Sequence, residues 1–248
     1  MKYKDFPRKF WSDLDQAILS AGANNHDLLA AFDADGTLWD IDLGETYFQY
    51  LIDFKKVELP DNPWQYYLEL KQKNNDPRSA YLWLAQILKN VPLTQAQEWA
   101  NQAFLSIQPE PIFPEQKKLI QYLLKHNVRI CIVTASVKWA VEPGARFLGL
   151  SNEDVIGVQT KIENGLITDK QEGLITYKEG KSESILIRFG KNPFFSCGNT
   201  LGDEYLLKSA THLQLGVSAA SRDDKLFHAE NELLDLCQKN NWPHHRFI

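Results

Sequence analysis

The sequence predicts an α/β fold, a doubly wound and mostly parallel β-sheet with a domain of helices inserted into it. Short apolar runs bounded by turn residues alternate with helical patterns near the N-terminus and again beyond residue 112. This alternation is typical of parallel sheets. Between these parts, residues 42–111 have a helical pattern that is rich in aromatic side chains. The alternating pattern and the helical pattern together predict an α/β core that is interrupted by a helical insert.

The individual elements follow from the spacing of the apolar residues. A helical period predicts a first helix over residues 7–22, and the apolar runs 28–32 and 128–133 each predict a buried strand. The runs KIENGLIT and EGLITY adjoin turn dipeptides and predict a small hairpin. The remaining predicted elements are helices over residues 115–125, 137–150, 182–189 and 204–209 and strands over residues 193–197 and 212–217. The polar tail QKNNWPHHRFI is expected to be loosely attached.

These patterns divide the chain of 248 residues into two predicted domains. Residues 1–41 and 112–248 form the α/β core, and residues 42–111 form the inserted helical domain. A chain of this length is long enough to bury a sizeable core. Ligands are expected at the carboxyl ends of the parallel strands of the core, because these ends meet at one edge of the sheet.

The composition of the chain argues against some classes of binding partner and some cellular compartments. The chain carries 27 Lys and Arg against 32 Asp and Glu, a formal net charge of −5, so we expect neither nucleic acid nor a membrane surface as a partner. The first residues lack the apolar core of a signal peptide, and no apolar run approaches the ~20 residues that span a bilayer, so we expect a cytoplasmic protein. The three widely spaced cysteines are interpreted as small buried side chains. The oligomeric state stays open.

The stretch LLAAFDADGTLWD places Asp33 and Asp35 directly after the first predicted strand. Burying carboxylates there costs free energy unless they are paired, protonated or bound to a cation. An ordinary Asp-Gly turn is the simpler alternative. We interpret the pair as a reactive site in which Asp33 attacks phosphorus to form an acyl phosphate and Asp35 acts as general acid and base. This division of roles requires the pKa of Asp35 to lie above that of Asp33.

A phosphate monoester is nearly a dianion, so this chemistry needs positive charge close to the carboxylates. Mg²⁺ on oxygen ligands and one lysine would supply the charge, while backbone amides of the turn and a hydroxyl would hold the remaining phosphate oxygens. Candidates stand after later predicted strands: Thr134 and Ser136, Lys181, and Asn199 with Asp203 in GNTLGD. Lys178 competes with Lys181, which we favour because it directly precedes a helical apolar pattern.

These segments resemble the motifs of the haloacid dehalogenase superfamily of phosphohydrolases, and within it the phosphoserine phosphatase-like branch. DADGTLW looks like the first motif, CIVTAS is similar to the second, and GNTLGD resembles the acidic fourth motif. The resemblance runs from Asp33 to about Val217. It implies a Rossmann-like core and a helical cap, inserted between the first two motifs, that closes over the substrate and excludes water.

The resemblance also implies a role for each matched residue. It makes Asp33 the nucleophile and Asp35 the acid and base, whose backbone carbonyl also meets the metal. Thr134 takes the position of the phosphate-binding hydroxyl, and Lys181 matches the lysine of the third motif. The residues expected to hold the substrate are Gly36, Thr37, Glu45, Ala135 and Ser136, and the expected ligands of Mg²⁺ are Asp33, Asp35, Asn199 and Asp203.

The chain departs from the family pattern at one position. The fourth motif usually begins Gly-Asp, whereas this chain has Asn199 after Gly198. An asparagine can ligate Mg²⁺ through its side-chain oxygen, but it brings less charge to a hard cation. Asp203 is expected to supply the missing charge, directly or through water. Weak metal affinity and a degenerate enzyme are the two alternatives that this departure leaves open.

The start of the predicted insert bears on the choice of substrate. Glu45 lies twelve residues beyond Asp33 and close in sequence to Trp39 and Tyr47. A carboxylate among aromatic rings suits a cationic group, either the ammonium of an amino acid or a quaternary amine. The superfamily's phosphorylcholine phosphatases carry a similarly spaced acidic residue, and its phosphoserine phosphatases use a glutamate of the cap. The alternative is that these aromatic side chains only form the core of the insert.

The sequence therefore predicts a magnesium-dependent phosphatase that acts on a small phosphorylated metabolite, with a phosphoserine- or phosphorylcholine-like substrate. One rival enzyme is a dehalogenase that uses Asp33 on carbon; it is disfavoured because that reaction needs neither an acid at Asp35 nor a metal. The rival from another class is a phosphate-binding or regulatory protein of the same fold that has lost turnover through Asn199. A purely structural role leaves Asp33, Asp35 and Asp203 unexplained.

Overall fold

The computed structural model describes residues 3–22 and 27–248; residues 1–2 and 23–26, which fall in the predicted core domain, lie outside the described residues. The chain forms two compact units. The first unit comprises Met1–Asp40, Pro111–Val133 and Lys178–Ile248, and the second comprises Ile41–Glu110 and Thr134–Tyr177.

The strands are, in chain order, β1 (Leu29–Phe32), β2 (Arg129–Val137), β3 (Val155–Glu163), β4 (Leu166–Glu172), β5 (Phe195–Gly198), β6 (Leu213–Ser218) and β7 (His244–Arg246). The helices are α1 (Arg8–Gly22), α2 (Leu43–Asp53), α3 (Pro63–Gln72), α4 (Arg78–Gln86), α5 (Leu93–Leu105), α6 (Pro114–Lys125), α7 (Lys138–Phe147), α8 (Glu179–Phe189), α9 (Glu204–Ser209) and α10 (Phe227–Lys239).

The first unit contains a parallel sheet in the order β2-β1-β5-β6-β7. Each of its neighbouring strand pairs is parallel, and Phe32 of β1 lies level with Ile132 of β2 and Cys197 of β5. The chain passes from β1 to β2 in one direction and from β5 onward in the other, so the strand order reverses between β1 and β5. Right-handed crossovers then place the intervening helices on opposite faces of the sheet. The predicted doubly wound, parallel α/β fold is confirmed.

The central strands are apolar because both faces of the sheet are covered by helices. All four residues of β1 are buried, and so are those of β5. The helices that flank them begin and end at typical residues: α6 has Pro114 in its first turn, and α8 ends at Gly190, whose φ of +67° is a left-handed conformation. The three cysteines are buried and free, as the sequence predicts.

The second unit is built from α2–α5, α7 and a hairpin. The strands β3 and β4 are antiparallel, and Asn164 and Gly165 form their turn with φ angles of 52° and 79°. Positive φ at both positions is the geometry of the tight turns that Asn-Gly favours. Tyr47 and Phe48 of α2 share one apolar cluster with Trp139 of α7. This cluster explains why residues 134–177, which the sequence analysis assigned to the core, group with the inserted helices.

The structure corrects the sequence analysis at two places. The C-terminal tail is not loosely attached: it follows α10, which was not predicted, and its residues His244–Arg246 pair with β6 as β7. Phe247 is fully buried and stacks on Phe113 at a centroid distance of 4.4 Å. The polar composition of the tail gave no sign of this buried aromatic contact. The run EGLITY is not a strand beyond Glu172, because the chain leaves the hairpin at Gly173.

Within the described ranges, no helix is both long enough and apolar enough to cross a membrane.

Candidate active site

Asp33 stands one residue beyond β1, at the point where the strand order reverses. Its backbone N–H still donates to the carbonyl of Cys197 at 2.9 Å, so the end of β1 is tied to the end of β5. The side chain is buried, with only 6% of the residue exposed. In sheets of this kind ligands bind at the carboxyl ends of the strands on either side of such a reversal. Asp33 therefore lies where the topology favours a binding site.

The turn after Asp33 depends on a glycine. The N–H groups of Thr37 and Leu38 both donate to the carbonyl of Ala34, and Gly36 N–H donates to the carbonyl of Trp39. Gly36 has φ of +76°, and a Cβ added there would lie 2.0 Å from Nδ2 of Asn199. A larger residue would strain the backbone and collide with the next strand end. Gly36 thus lets the turn approach Asn199 closely.

Both oxygens of the Asp33 carboxylate accept hydrogen bonds. Oδ1 accepts from Nζ of Lys181 at 2.5 Å, and Oδ2 accepts from the hydroxyl of Thr37 at 3.0 Å. Burial raises the pKa of Asp33 and the nearby Asp203 adds to the increase; Lys181 opposes both, and the pKa lies at about 6. The carboxylate therefore depends on adjacent positive charge to remain ionised.

Lys181 provides that positive charge from the first turn of α8. Its Nζ lies 2.5 Å from Asp33 Oδ1 and 2.5 Å from Asp203 Oδ1, and the side chain is 4% exposed. Burial alone lowers the pKa of Lys181, but the carboxylates of Asp203 and Asp33 outweigh burial and raise the pKa above its ordinary value. Lys178, the competing candidate, is exposed just before α8. The lysine that joins the two carboxylates is Lys181.

Asn199 and Asp203 belong to the loop that follows β5. Oδ2 of Asp203 accepts from the backbone N–H groups of Asn199 and Thr200, each at 3.1 Å, and this closes the loop. Gly198 permits the closure, because a Cβ there would lie 2.5 Å from Cβ of Asp203. Oδ1 of Asn199 lies 3.4 Å from the hydroxyl of Thr37. The loop therefore presents an amide oxygen beside Asp33 and a carboxylate to Lys181.

Asp35 points into a different environment from Asp33. Its Oδ1 accepts a 2.7 Å hydrogen bond from the indole nitrogen of Trp39, which is fully buried. Asp35 itself is only partly buried. The sequence analysis considered Trp39 only as an aromatic neighbour of Glu45, and the hydrogen bond to Asp35 is a role that it missed. The two aspartates of DADGT thus have separate partners.

The oxygen-only donor set at these strand ends is of the kind that suits Mg²⁺. A carboxylate oxygen of Asp33 lies 3.0 Å from the Thr37 hydroxyl, and the amide oxygen of Asn199 lies 3.4 Å from the same hydroxyl. The oxygens of Asp203, by contrast, are taken up by Lys181 and by two backbone amides. In the described part of the chain, no group of three or more His, Cys, Asp or Glu side chains is arranged to hold a metal. The residues fit the ion with Asp33 and Asn199 as side-chain ligands.

The other candidate residues lie in the second unit. Thr134 is buried, its hydroxyl accepts from the N–H of Ser136 at 3.0 Å, and its carbonyl accepts from the hydroxyl of Thr176. Ser136 packs on the first turn of α2, where a Cβ on Gly44 would lie 2.7 Å from its Oγ. Ala135, between them, is partly buried. These contacts describe how the second unit holds residues 134–136, the end of the CIVTAS segment.

Glu45, in the first turn of α2, pairs with a lysine of its own unit. Its Oε1 accepts from Nζ of Lys71 at 2.9 Å, and Lys71 also lies over the rings of Tyr67 and Tyr81, at 5.0 and 6.0 Å from their centroids. The side chains of Glu45 and Lys71 are 20% and 31% exposed. Glu45 therefore already pairs with an ammonium group of the protein. The rings beside that ammonium are Tyr67 and Tyr81, not the Trp39 and Tyr47 that the sequence analysis named.

A family model for haloacid dehalogenase-like hydrolases matches residues 30–192, more than half of the chain. The chain belongs to the haloacid dehalogenase-like hydrolase family. The resemblance that the motifs suggested is therefore confirmed. The matched range includes Asp33, Asp35, Thr134 and Lys181. No curated protein matches the sequence.

Solved structures share the fold of this family member at low sequence identity. A protein of unknown function from Bordetella pertussis Tohama I has a TM-score of 0.71 at 16% identity, over 88% of this chain and 98% of that one. A functionally unknown protein from Anaerococcus prevotii DSM 20548 has a TM-score of 0.71 at 14% identity, over 98% and 95%. A phosphoserine phosphatase with a phospho-aspartyl intermediate analogue has a TM-score of 0.54 at 17% identity, over 89% and 93%.

Sequence analysis missed one residue that contacts this site. Glu230 of α10 is 2% exposed and accepts from Nδ2 of Asn199 at 3.1 Å. It lies 31 residues after Asn199, in a segment where no motif or strand pattern directed attention to it. The periodic apolar residues of FHAENELLDLCQK were the only available signal, and they indicate a helix rather than a site.

Proposed function

We propose that this protein is a magnesium-dependent phosphatase that hydrolyses a small phosphomonoester through an aspartyl phosphate on Asp33. The observation that carries the proposal is the buried cluster in which Lys181 joins Asp33 to Asp203 at the ends of β1 and β5. A nucleophilic carboxylate can approach a phosphate dianion only where fixed positive charge lies beside it. Membership of a hydrolase family supports the reaction class.

In the first step an oxygen of Asp33 attacks phosphorus, the bond from phosphorus to the ester oxygen breaks, and Asp35 gives its proton to the leaving alkoxide. In the second step Asp35 takes a proton from water, and the resulting hydroxide attacks the phosphorus of the acyl phosphate. The bond from phosphorus to Asp33 breaks, which releases phosphate and restores both carboxyl groups. Asp33 and Asp35 have separate partners, as two roles require. Burial raises the pKa of Asp33 to about 6 in the protein alone, so the required order of the two pKa values depends on Mg²⁺, which would favour the ionised form of Asp33.

Lys181 keeps the attacking carboxylate oriented and neutralises the transferred group, because its ammonium contacts Asp33 and is held by Asp203. Thr37 fixes the second oxygen of Asp33. Asp33 and Asn199, together with the backbone carbonyl of Asp35, would hold Mg²⁺. When bound, the ion supplies positive charge against the phosphate and favours the ionised form of the nucleophile.

The proposal also includes the domain division, the phosphate-binding residues, the compartment and the class of substrate. The division into a core and a cap, the roles of Thr134, Ala135 and Ser136 toward phosphate, and the cytoplasm as the compartment are retained from the sequence analysis. An amine-bearing substrate is supported by the pairing of Glu45 with Lys71 beside two tyrosine rings, since this environment already stabilises an ammonium group. Phosphoserine and phosphorylcholine are the representatives of this class.

The test is a panel of phosphoserine, phosphorylcholine and p-nitrophenyl phosphate, assayed for released phosphate with Mg²⁺ and with EDTA. Wild type is expected to hydrolyse at least one ester, to lose activity with EDTA, and to prefer the two amine-bearing esters. Asp33→Asn keeps the shape of the side chain but removes the nucleophile, so its activity is expected to fall by at least ~10³-fold. Equal activity of wild type and Asp33→Asn would overturn the proposal.

The second candidate is a phosphate-binding protein without turnover. The observation that favours it is the neutral Asn199 at the position where the family resemblance leads us to expect a carboxylate. Titration calorimetry with phosphoserine or phosphorylcholine, run beside the phosphate assay, separates the two functions. Binding in the presence of Mg²⁺ without release of phosphate would favour this second function.

A further inference from the structure

Glu230 is a buried carboxylate that the proposed reaction does not use. It lies in the first half of α10, in the first unit, and is 2% exposed. Oε2 accepts from the hydroxyl of Ser218 at 2.7 Å and from the N–H groups of Ala219 and Ala220 at 3.0 and 2.9 Å. Oε1 accepts from Nδ2 of Asn199 at 3.1 Å. Four donors surround the two oxygens, and this arrangement suits an ionised carboxylate, which only accepts hydrogen bonds.

The contact with Glu230 decides which way the amide of Asn199 faces. The two ends of an asparagine amide differ, because the nitrogen donates and the oxygen accepts. Glu230 only accepts, so it holds the nitrogen and leaves Oδ1 on the side of Thr37, whose hydroxyl bonds to Asp33. A flipped amide would set its oxygen against a carboxylate oxygen of Glu230, which has no proton to donate. Glu230 thus fixes an oxygen toward Asp33.

The same contact disfavours an aspartate at position 199. A carboxylate at that position would face Oε1 of Glu230 at about the present 3.1 Å, and two like charges at that distance repel strongly in a buried site. Asn199 and Glu230 together carry one negative charge. This charge lies on Glu230, one hydrogen bond further from Asp33 than a carboxylate at position 199 would be. The turn at Gly36 packs directly on this pair, since a Cβ there would meet Asn199 Nδ2 at 2.0 Å and Glu230 Oε1 at 3.5 Å.

From this geometry we infer that Glu230 is a positioning residue of the proposed magnesium site. It keeps the oxygen of Asn199 aimed beside Asp33, and it supplies from the second layer the negative charge that Asn199 lacks. The inference rests on the proposed function, because it assumes that Asp33 and Asn199 hold Mg²⁺. Residues that orient a ligand in this way commonly affect metal affinity by about 10–100-fold.

The test measures Mg²⁺ affinity by titration calorimetry on the full chain, without substrate. Glu230→Gln keeps the shape but removes the charge and presents a donor, so it is expected to weaken Mg²⁺ binding by at least about 10-fold. The double variant Asn199→Asp, Glu230→Gln exchanges the amide and the carboxylate across the same hydrogen bond. It is expected to bind Mg²⁺ at least as tightly as wild type. Each variant is first checked for folding by near-UV circular dichroism.

Glu115→Gln is the matched control. Glu115 is also a buried carboxylate of the first unit, 3% exposed, but it accepts from the N–H of Phe6 and from Lys118 rather than from a site residue. Its substitution is expected to leave Mg²⁺ affinity unchanged. A comparable loss in both single variants would show that any lost buried charge has this effect, and it would overturn the specific role of Glu230.

The outcomes separate this inference from the proposed function. Wild type that binds Mg²⁺ and hydrolyses p-nitrophenyl phosphate, with Glu230→Gln binding Mg²⁺ equally well, would overturn the inference alone. Wild type that neither binds Mg²⁺ nor hydrolyses any ester would overturn the proposed function and the inference with it. Where Glu230→Gln fails to fold, the exchange variant decides: a folded exchange variant that does not bind Mg²⁺ contradicts the inference.

Discussion

Two groups of lysine and carboxylate side chains, one in each unit, hold charge in different ways. In the first unit Lys181 lies between Asp33 and Asp203, and the three side chains are 4%, 9% and 2% exposed. In the second unit Lys71 pairs with Glu45, and the two side chains are 31% and 20% exposed. Both pairings are short, at 2.5 and 2.9 Å, so distance alone does not distinguish them.

The two groups differ in burial, and burial determines how strongly their charges interact and how much each group contributes to stability. Water and salt screen the partly exposed pair, so it contributes little to stability and its partners exchange readily. The buried group is screened much less, and its members depend on one another for charge balance. The buried group around Lys181 suits a fixed catalytic charge. The partly exposed pair of Lys71 and Glu45 suits the reversible binding of an ammonium group.

The largest effect is expected for Lys181→Met. Methionine fills much of the same space but leaves Asp33 and Asp203 buried without a cation, so the free energy of unfolding at pH 7 is expected to fall by about 3–5 kcal/mol. Urea denaturation followed by circular dichroism measures the change. Lys178→Met is the control: this exposed lysine lies three residues earlier, and its loss is expected to change stability by less than about 0.5 kcal/mol. Equal stability of Lys181→Met and wild type would contradict the charge balance described here.

A smaller effect is expected for Thr37→Val, which leaves one oxygen of Asp33 without its hydroxyl donor. Losing a donor to a buried acceptor costs about 1–3 kcal/mol, which the same urea experiment measures. Thr37→Ser keeps the hydroxyl and removes only a methyl group, so it is expected to cost about 1 kcal/mol or less. If the serine variant loses as much stability as the valine variant, packing rather than the hydrogen bond to Asp33 explains the role of Thr37.

The smallest effect on stability is expected at the exposed pair. Lys71→Met and Glu45→Gln are each expected to change the free energy of unfolding by about 0–1 kcal/mol, and by less still in about 1 M salt. Their effect on substrate choice should run in opposite directions. Lys71→Met removes the ammonium that competes with a substrate amine and is expected to raise kcat/KM for phosphorylcholine relative to p-nitrophenyl phosphate, whereas Glu45→Gln is expected to lower this ratio. Ratios that move together would argue against recognition of an amine by Glu45.

Much of the fold and the first part of the candidate site could be predicted from local patterns. The apolar strand before Asp33, the Asn-Gly hairpin and the order of strands and helices are signals carried by neighbouring residues, and local signals survive folding. The meeting of Asp33, Lys181 and Asp203 was also predictable, because parallel strands bring the ends of distant segments to one edge.

Contacts that depend on a single buried group could not be predicted. The β7 strand is held by Phe247 packing on Phe113, and a polar tail gives no periodic pattern from which to infer it. Glu230 reaches Asn199 from α10, a helix that was not predicted, so Asn199 could not be connected with this carboxylate from the sequence. Residues 134–177 pack with the inserted helices because both contribute to one apolar cluster, and their position in the sequence does not reveal this contact.

In the proposed reaction Asp33 carries the phosphoryl group during turnover. The most direct measurement mixes the protein with Mg²⁺ and an ester that the wild type hydrolyses, with p-nitrophenyl phosphate as the first choice. The reaction is quenched rapidly with acid, and the peptide that contains DADGT is analysed by mass spectrometry. One phosphoryl group is expected on Asp33 in wild type and none in Asp33→Asn. With p-nitrophenyl phosphate, whose nitrophenolate leaves without a proton, a higher occupancy is expected in Asp35→Asn, because this variant lacks the base for the second step. Turnover without an adduct on Asp33 in either wild type or Asp35→Asn, or an adduct on another residue, would contradict the account.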